Sequence, residues 1–339
     1  MPAIPPAATA AAAPALPAVV RFVWLGAALP DLGWLALRRA LDRAGADAVW
    51  LHTTDPALAH DAAVRDLIDR GVQLDVFAPG DLLTTGLGSA TDAALVRLWA
   101  RLQRPAARAD VARLGLLWRH GGIYLDTDLI AVRALRPLCA PGRPPGFAGL
   151  EQVCLPAAVV HGMDPVRWAR AGALLAVRDV LSRLAAGPRL YAQVARHYDL
   201  ACNNAVLAAA AEHPLLGELL DRAARMPLAR ALHLYELGPR LLEAATSNTS
   251  RPDFDLLAPA AFYPLPPEIC AAYVQDDRRE PLAADLEPGT YGAHLYDSVL
   301  VRRLGRPIDL TWLRAHGTRS WLGRVAAPYL PALTALRAA

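Results

Sequence analysis

Four charged residues between positions 110 and 128 have the types and spacing to do chemistry: Asp110, Arg113, Asp126 and Asp128, within DVARLGLLWRHGGIYLDTDLI. Two aspartates one residue apart, set after a glycine pair and an apolar run, bring hard oxygen donors to one place. Such donors suit Mg²⁺ or Mn²⁺, which are held by one or two carboxylates and leave the rest of their shell to water and substrate phosphates. Asp110 and Arg113 stand three apart in a helical pattern and so project from one side. A guanidinium there can offer a planar fork to diphosphate oxygens, and a carboxylate can accept from sugar or ribose hydroxyls. Each half alone has a plainer reading, a solvated turn for D-x-D and a surface ion pair for D-x-x-R. Their combination points to a phosphate-bearing ligand and a divalent cation.

These residues need elements to position them. AVVRFVWLG predicts a buried strand ending at Trp24, ahead of a turn at Gly26. Leucines at helical spacing predict a helix over 31–44, AVWLHT a second strand, 57–70 a second helix and VQLDVF a third strand. Strands alternating with helices imply right-handed crossovers and a parallel α/β sheet of the nucleotide-binding kind, with ligands at the carboxyl ends of strands. Residues 90–119 read as helix, closed at Gly121-Gly122 with His120 in the last turn, and IYLD as the central strand. In an extended strand Ile123 and Leu125 share one face, while Tyr124, Asp126 and, if extension persists, Asp128 share the other. GFAGLEQVCL predicts a further strand, 164–225 mainly helix punctuated by Pro165, Gly187-Pro188 and Pro214, 247–296 loops and short strands, and 308–337 helix again.

Composition narrows the function classes. A chain of 339 residues with 54% hydrophobic content can bury a large core, which excludes disorder throughout. The net charge is +3, and all 35 basic residues are arginines scattered along the chain, which argues against a nucleic-acid partner. Cys139, Cys154, Cys202 and Cys270 form no C-x-x-C pair, so neither a zinc site nor a disulfide framework is indicated, and a reducing cytosol fits. Residues 1–18 lack the basic start of a signal peptide and read as a flexible Ala/Pro-rich tail. No apolar run reaches the ~20 residues needed to span a bilayer. The expectation is a cytoplasmic protein, soluble or peripheral to the inner membrane surface.

The stretch ADVARLGLLWRHGGIYLDTDL resembles the core signature of the DXD-motif sugar-binding glycosyltransferases, which include α-1,4-galactosyltransferases, fungal initiating mannosyltransferases and the catalytic domains of large glucosylating toxins. An acidic residue, two spacers, Arg, an apolar helix and then Gly-Gly-x-Tyr-x-Asp-x-Asp are matched element by element, and weaker similarity runs from about residue 20 to about residue 300. The resemblance implies a GT-A type fold: a Rossmann-like mixed α/β sheet over 19–307 with a mainly helical acceptor-side lobe over 164–245, followed by a helical segment over 308–339. It implies a retaining transferase that uses Mn²⁺ or Mg²⁺ to move a hexose from a nucleoside diphosphate sugar, with UDP expected, to an acceptor hydroxyl. Bacterial polysaccharide, lipopolysaccharide or glycolipid synthesis is the expected setting.

By the same resemblance, Trp24 stacks on the donor's base, Asp110 and Arg113 contact the donor sugar and diphosphate, and Tyr124 belongs to the donor-binding set. Asp126 contacts the ribose or sugar together with the metal, and Asp128 binds the metal directly. Asn203 or Asn204, in CNNAVLAAAAEHP, bonds a sugar hydroxyl ahead of a small-residue helix; Gly238-Pro239 matches a family element; His294 and Ser298, in YGAHLYDSVL, lie near metal and phosphate. The sequence departs from the pattern in lacking His-Gln before Trp24 and in carrying Val299 where tryptophan is expected. Plainer readings stand beside these: Trp24 as core, one asparagine as a helix cap, His294 as structural, and Glu151, His161 and His197 without a role. No catalytic nucleophile is indicated.

Two other classes compete. One is a nucleotide-sugar-binding protein without turnover, against which the intact Asp110, Arg113, Asp126 and Asp128 argue. The other is a metal-dependent diphosphate hydrolase, which would want more ligands than His52 and Asp55 offer. Trp312, Arg314, Arg319, Trp321 and Arg324 suggest a peripheral membrane contact through the C-terminal segment, with packing on the main domain as the alternative.

Overall fold

The computed structural model describes residues 15–153, 164–181, 190, 193–246, 251–276, 286 and 289–338. Cys154, His161 and the Gly187-Pro188 break lie outside them. The chain opens with β1 (Val19–Val23), α1 (Asp31–Arg43), β2 (Ala48–Thr53), α2 (Ala62–Asp69) and β3 (Gln73–Val76). β1 pairs in parallel with β2 and β2 with β3, so the predicted β-α-β alternation is realised. Helices α3 (Pro79–Leu82), α4 (Ser89–Arg101) and α5 (Pro105–His120) lead to β4 (Gly122–Leu125), which joins the other edge of β1, again in parallel. The single helix expected over 90–119 is thus two, divided where Leu102 turns extended and Pro105, lacking an N–H, can only begin a new helix.

The chain continues through β5 (Leu129–Ala131), β6 (Gly146–Val153), α6 (Pro165–Leu181), β7 (Asp199–Ala209), α7 (Pro214–Arg225), α8 (Leu228–Ala231) and α9 (Pro239–Thr246). It ends with β8 (Asp255–Leu257), β9 (Gly292–His294), α10 (Asp297–Leu304), α11 (Leu310–His316), α12 (Trp321–Ala326) and α13 (Leu330–Ala338). Among the described residues seven strands form one sheet in the order β3-β2-β1-β4-β7-β6-β8, and β5 and β9 form a separate antiparallel ribbon. β7 runs antiparallel to both β4 and β6. This is the Rossmann-like mixed sheet expected of a GT-A type fold.

Within the segment expected to be mainly helical, β7 is a strand at the centre of the sheet. Its alanines favour helix intrinsically, but Ala205 to Ala209 are all buried between β4 and β6, and the tertiary setting overrides that preference. Helix resumes only at Pro214, behind the His213 cap.

Two apolar layers cover the sheet. Val20, Phe22, Val49 and Leu51 pack with Trp34, Leu35 and Leu67 of α1 and α2 and with Trp312, Leu313, Trp321 and Leu322 near the C-terminus. Val23, Tyr124 and Leu207 face α4, α5 and α7 on the other side. Trp312 and Trp321 are therefore core residues, tied in further by Arg337 and the backbone of Leu310, both bonded to Asp31. Both tryptophans thus pack on the main domain. Among the described residues no helix is long and apolar enough to cross a membrane.

Candidate active site

Gly121 and Gly122 end α5 and start β4 with φ of 61° and 115°, values that favour glycine. A Cβ on Gly122 would meet the Val19 carbonyl at 2.6 Å, so the close approach of β4 to β1 also requires glycine there. β4, which leads into the aspartates, is thereby fixed against β1 and the parallel half of the sheet.

Beyond Leu125 the chain turns instead of staying extended: the Leu129 N–H donates to the Asp126 carbonyl at 3.0 Å. Asp126 and Asp128 therefore converge through a turn between β4 and β5, and not by strand alternation. Pairing of Leu129 with His294 across the β5–β9 ribbon then brings the histidine in. Asp126, Asp128 and His294 each offer one ligand atom within 4.8 Å of the others. His294 Nε2 lies 3.2 Å from Asp128 Oδ1. The Asp297 N–H donates to Asp128 Oδ2 at 2.9 Å, and the Leu295 N–H to the Asp128 carbonyl at 3.0 Å.

Burial works to raise the Asp128 carboxyl, but the His294 charge and hydrogen bond and the Asp297 N–H hold it below its usual range. Burial pulls the His294 imidazole the other way, and Asp128 overcomes it, so the histidine binds its proton more tightly than usual. Among the described residues His294 Nδ1 is buried without a hydrogen-bond partner.

Arg113 forms the second part of the site. Its guanidinium lies 3.0 Å from Asp110 and 3.3 Å from Asp126, stacks 4.3 Å over the Tyr124 ring, and donates to the carbonyls of Asn204 and Ala109. The predicted Asp110–Arg113 pairing is present, but Arg113 is only 4% exposed and its donors go to protein acceptors. Tyr124, also buried, donates its hydroxyl to Asp126 Oδ1 at 2.8 Å, so it reaches the site through that carboxylate. Burial raises the Asp110 carboxyl, with Arg113 and the Asn204 amide opposing.

Asn203 and Asn204 lie in β7, so neither caps a helix. Opposite β6 the register jumps: Ala148 faces Leu207 while Gly149 faces Asn203, leaving Asn204, Ala205 and Val206 as a bulge on that side. Bulges of this kind re-aim side chains beside active sites. Asn204 Nδ2 donates to Asp110 Oδ1 at 2.8 Å, and Asn203 Oδ1 accepts from the Ala205 N–H at 2.8 Å. Gly238 presses on this pair, where an added Cβ would stand 2.5 Å from Asn204 Nδ2 and 2.8 Å from Asp110 Oδ1.

The remaining predicted residues are less tightly integrated. Trp24 stands half-exposed just past the end of β1, its indole N–H donating to the Ala28 carbonyl at 2.9 Å. Ser298 is exposed in the first turn of α10, immediately after the Asp297 contact to Asp128. His197 is exposed. His52 is buried between Asp75, 2.8 Å away, and Arg21, 3.3 Å away, and Asp55 caps a short turn of helix. The structure also draws in three residues for which sequence spacing gave no role: Glu151, Tyr263 and Tyr296. The Tyr296 hydroxyl donates to Glu151 Oε2 at 3.0 Å, the Tyr296 and His294 rings lie 4.2 Å apart, and the Tyr263 hydroxyl accepts from the Val206 N–H at 3.1 Å.

The family model described as "glycosyltransferase sugar-binding region containing DXD motif" matches residues 86–142. No curated protein matches the chain. Among solved structures the chain is similar to PaToxG glycosyltransferase, at 14% identity over 68% of each chain with a TM-score of 0.42. It is similar to the UDP-bound glycosyltransferase domain of the YGT toxin, at 13% identity over 86% of this chain and 78% of that one, TM-score 0.34. A third is apo mouse xyloside xylosyltransferase 1, at 14% identity over 81% of this chain and 96% of that one, TM-score 0.40. The stretch that supplies the aspartates and the arginine lies inside the region matched by that DXD family model.

Proposed function

We propose that this protein is a glycosyltransferase that moves a hexose from a nucleoside diphosphate sugar, with UDP as the nucleotide, to the hydroxyl of a glycan or glycolipid acceptor in the cytoplasm, retaining the anomeric configuration. The observation that carries the reading is the convergence of Asp126, Asp128 and His294, with Arg113 bonded to Asp126 beside them.

This donor set fits a divalent cation. Two carboxylates and an imidazole are ligands that Mn²⁺ accepts readily and Mg²⁺ in part. Asp128 and His294 already face each other across a single proton, so positive charge is favoured between them. Asp126, Asp128 and His294 would hold the ion; when bound, Mn²⁺ or Mg²⁺ supplies Lewis-acid stabilisation of the charge that grows on a departing diphosphate.

The chain's own contribution is preorganisation. Arg113 fixes Asp110 and Asp126 and leaves a buried positive charge behind the diphosphate position, where low polarity strengthens its effect. Asp110, held by Arg113 and Asn204, is placed to accept from donor hydroxyls. Trp24, at the carboxyl end of β1, offers a flat apolar face for the base.

A hydrolase reading lacks ligands, since His52 and Asp55 are engaged elsewhere and the described residues hold no second cluster of this kind. The test is a donor panel of UDP- and GDP-sugars with Mn²⁺, scoring binding and slow hydrolysis without acceptor. Mn²⁺-dependent binding and hydrolysis of a UDP-sugar is the expected result; no response to any nucleoside diphosphate sugar would overturn the proposal.

A further inference from the structure

We infer that Glu151 recognises the sugar portion of the donor, accepting hydrogen bonds from its hydroxyls and so helping to decide which sugar is used. The inference rests on the donor-site reading above and adds a residue that the DXD region does not contain.

The first argument is position. β7 runs past the carboxyl end of β4, because Leu125 pairs with Val206 and residues 199–205 extend beyond it. β6 follows that extension and sets Glu151 opposite Ala201, overhanging the end of the sheet where the D-T-D turn lies. It stands two strands from β4 on the side away from β1, which carries Trp24 to the base position. At about 4.8 Å per strand, Glu151 lies on the sugar side of the cation site, out of reach of the base side.

The second is the way it is held. Tyr296 donates to Oε2 at 3.0 Å while its ring lies against His294, so one residue links the glutamate to the cation site. Tyr296 has φ of 55°, a conformation seldom adopted outside glycine and asparagine and one that persists where the surroundings fix it. The β7 bulge adds to this by placing Asn203 beside Glu151, with the amide oxygen already taken by the Ala205 N–H and the nitrogen left to donate.

The third is chemical contrast. Asp110, Asp126 and Asp128 each have a cationic partner within 3.3 Å, in Arg113 or His294. The hydrogen-bond partners of Glu151 among the described residues are neutral. A carboxylate can accept about four hydrogen bonds, and Tyr296 and Asn203 fill about half of that capacity. Glu151 is half-buried whereas Tyr296 and Asn203 are buried. Acceptor capacity not taken up by a hydrogen-bonded cation is free for further hydroxyl donors.

Calorimetry with Mn²⁺ and, in turn, UDP, UDP-glucose, UDP-galactose and UDP-N-acetylglucosamine tests the inference on wild type and Glu151→Gln. UDP affinity should be unchanged, while the advantage of the preferred UDP-sugar over UDP should fall about tenfold, the scale of a hydrogen bond to a charged group. Its acceptor-free hydrolysis should fall with it. An unchanged sugar preference would overturn the inference. So would equal weakening of UDP and UDP-sugar, which would make Glu151 a support of the cation site. Should Glu151→Gln fail to fold, Glu151→Asp, which keeps the charge and withdraws the carboxylate by one methylene, must lose the preference too; wild-type preference there overturns the inference. No Mn²⁺-dependent UDP binding in wild type would refute the underlying donor-site reading instead.

Discussion

The two arms of the site are built on different terms. Asp110, Arg113 and Asp126 come from one helix and the strand after it, and a permanently charged guanidinium ties them together. Asp128 and His294 come from distant parts of the chain, meet across a ribbon whose strands are three residues each, and are joined by a proton that can leave. The first arm is held by an arginine that does not titrate at ordinary pH; the second holds a proton where the proposed cation would sit. For the proposed transfer, in which a metal-bound diphosphate is bound and released, the division supplies one rigid arm and one responsive arm.

The comparison breaks most sharply at Asp128. Asp128→Asn removes a ligand and the partner of His294, and should lower Mn²⁺ affinity by about 100-fold or more, beyond what loss of an outer contact costs. Near-normal Mn²⁺ binding would show that the responsive arm is not a metal site. In the rigid arm Arg113→Lys should cost roughly 10²–10³-fold in turnover, the scale for losing a preorganised donor. A point charge cannot serve Asp110, Asp126 and the Asn204 carbonyl together. Turnover within a few-fold of wild type would reduce Arg113 to an ordinary ion pair.

Proton exchange sharpens the contrast further. The folded His294 pKa lies above its ordinary 6.5, so the stabilisation it draws from Asp128 is complete below 6.5 and fades as pH rises through the raised value. The folded Asp128 pKa lies below 3.8, so its share is present above 3.8 and fades as pH falls through the depressed value. The metal-free protein should therefore gain most in melting temperature over His294→Ala between these two pH values. Mn²⁺ affinity should instead rise with pH as the imidazole is freed, and His294→Ala should flatten that rise. Identical pH profiles in the two proteins would contradict this.

Gly238→Ala should separate Asn204 from Asp110 and lower turnover with less effect on Mn²⁺ binding, because the intrusion falls on the rigid arm; unchanged turnover would show that this contact is dispensable. The smallest effect is expected at Trp24→Ala, a loss of about 1–3 kcal/mol in UDP binding, the scale of base stacking. Unaltered UDP affinity would assign Trp24 to packing.

The same division separates what was legible in the sequence from what was not. β1 to β4, the helix through Asp110 and Arg113, and the glycine pair before the strand follow from local periodicity and turn chemistry, and they carry the rigid arm. The Asp128–His294 contact depends on a β5–β9 pairing that no local pattern encodes, so only family resemblance suggested His294. β7 was concealed by its alanines, whose helical preference yields to burial on both sides. Glu151 had no local signature at all, because a single glutamate in a strand pattern acquires meaning only once β6, the β7 bulge and Tyr296 come together. The convergence of Asp126 with Asp128 was expected, but its mechanism, a turn closed by the Leu129 N–H, required the backbone.

The central claim is that the Asp126, Asp128 and His294 cluster binds a nucleoside diphosphate through a divalent cation. Titrating UDP into the wild-type protein by calorimetry, with Mn²⁺ present and again after chelation, tests it most directly. The account predicts one Mn²⁺-dependent UDP site per chain, lost on chelation and restored by added Mn²⁺. UDP binding of equal strength with and without the metal would contradict it.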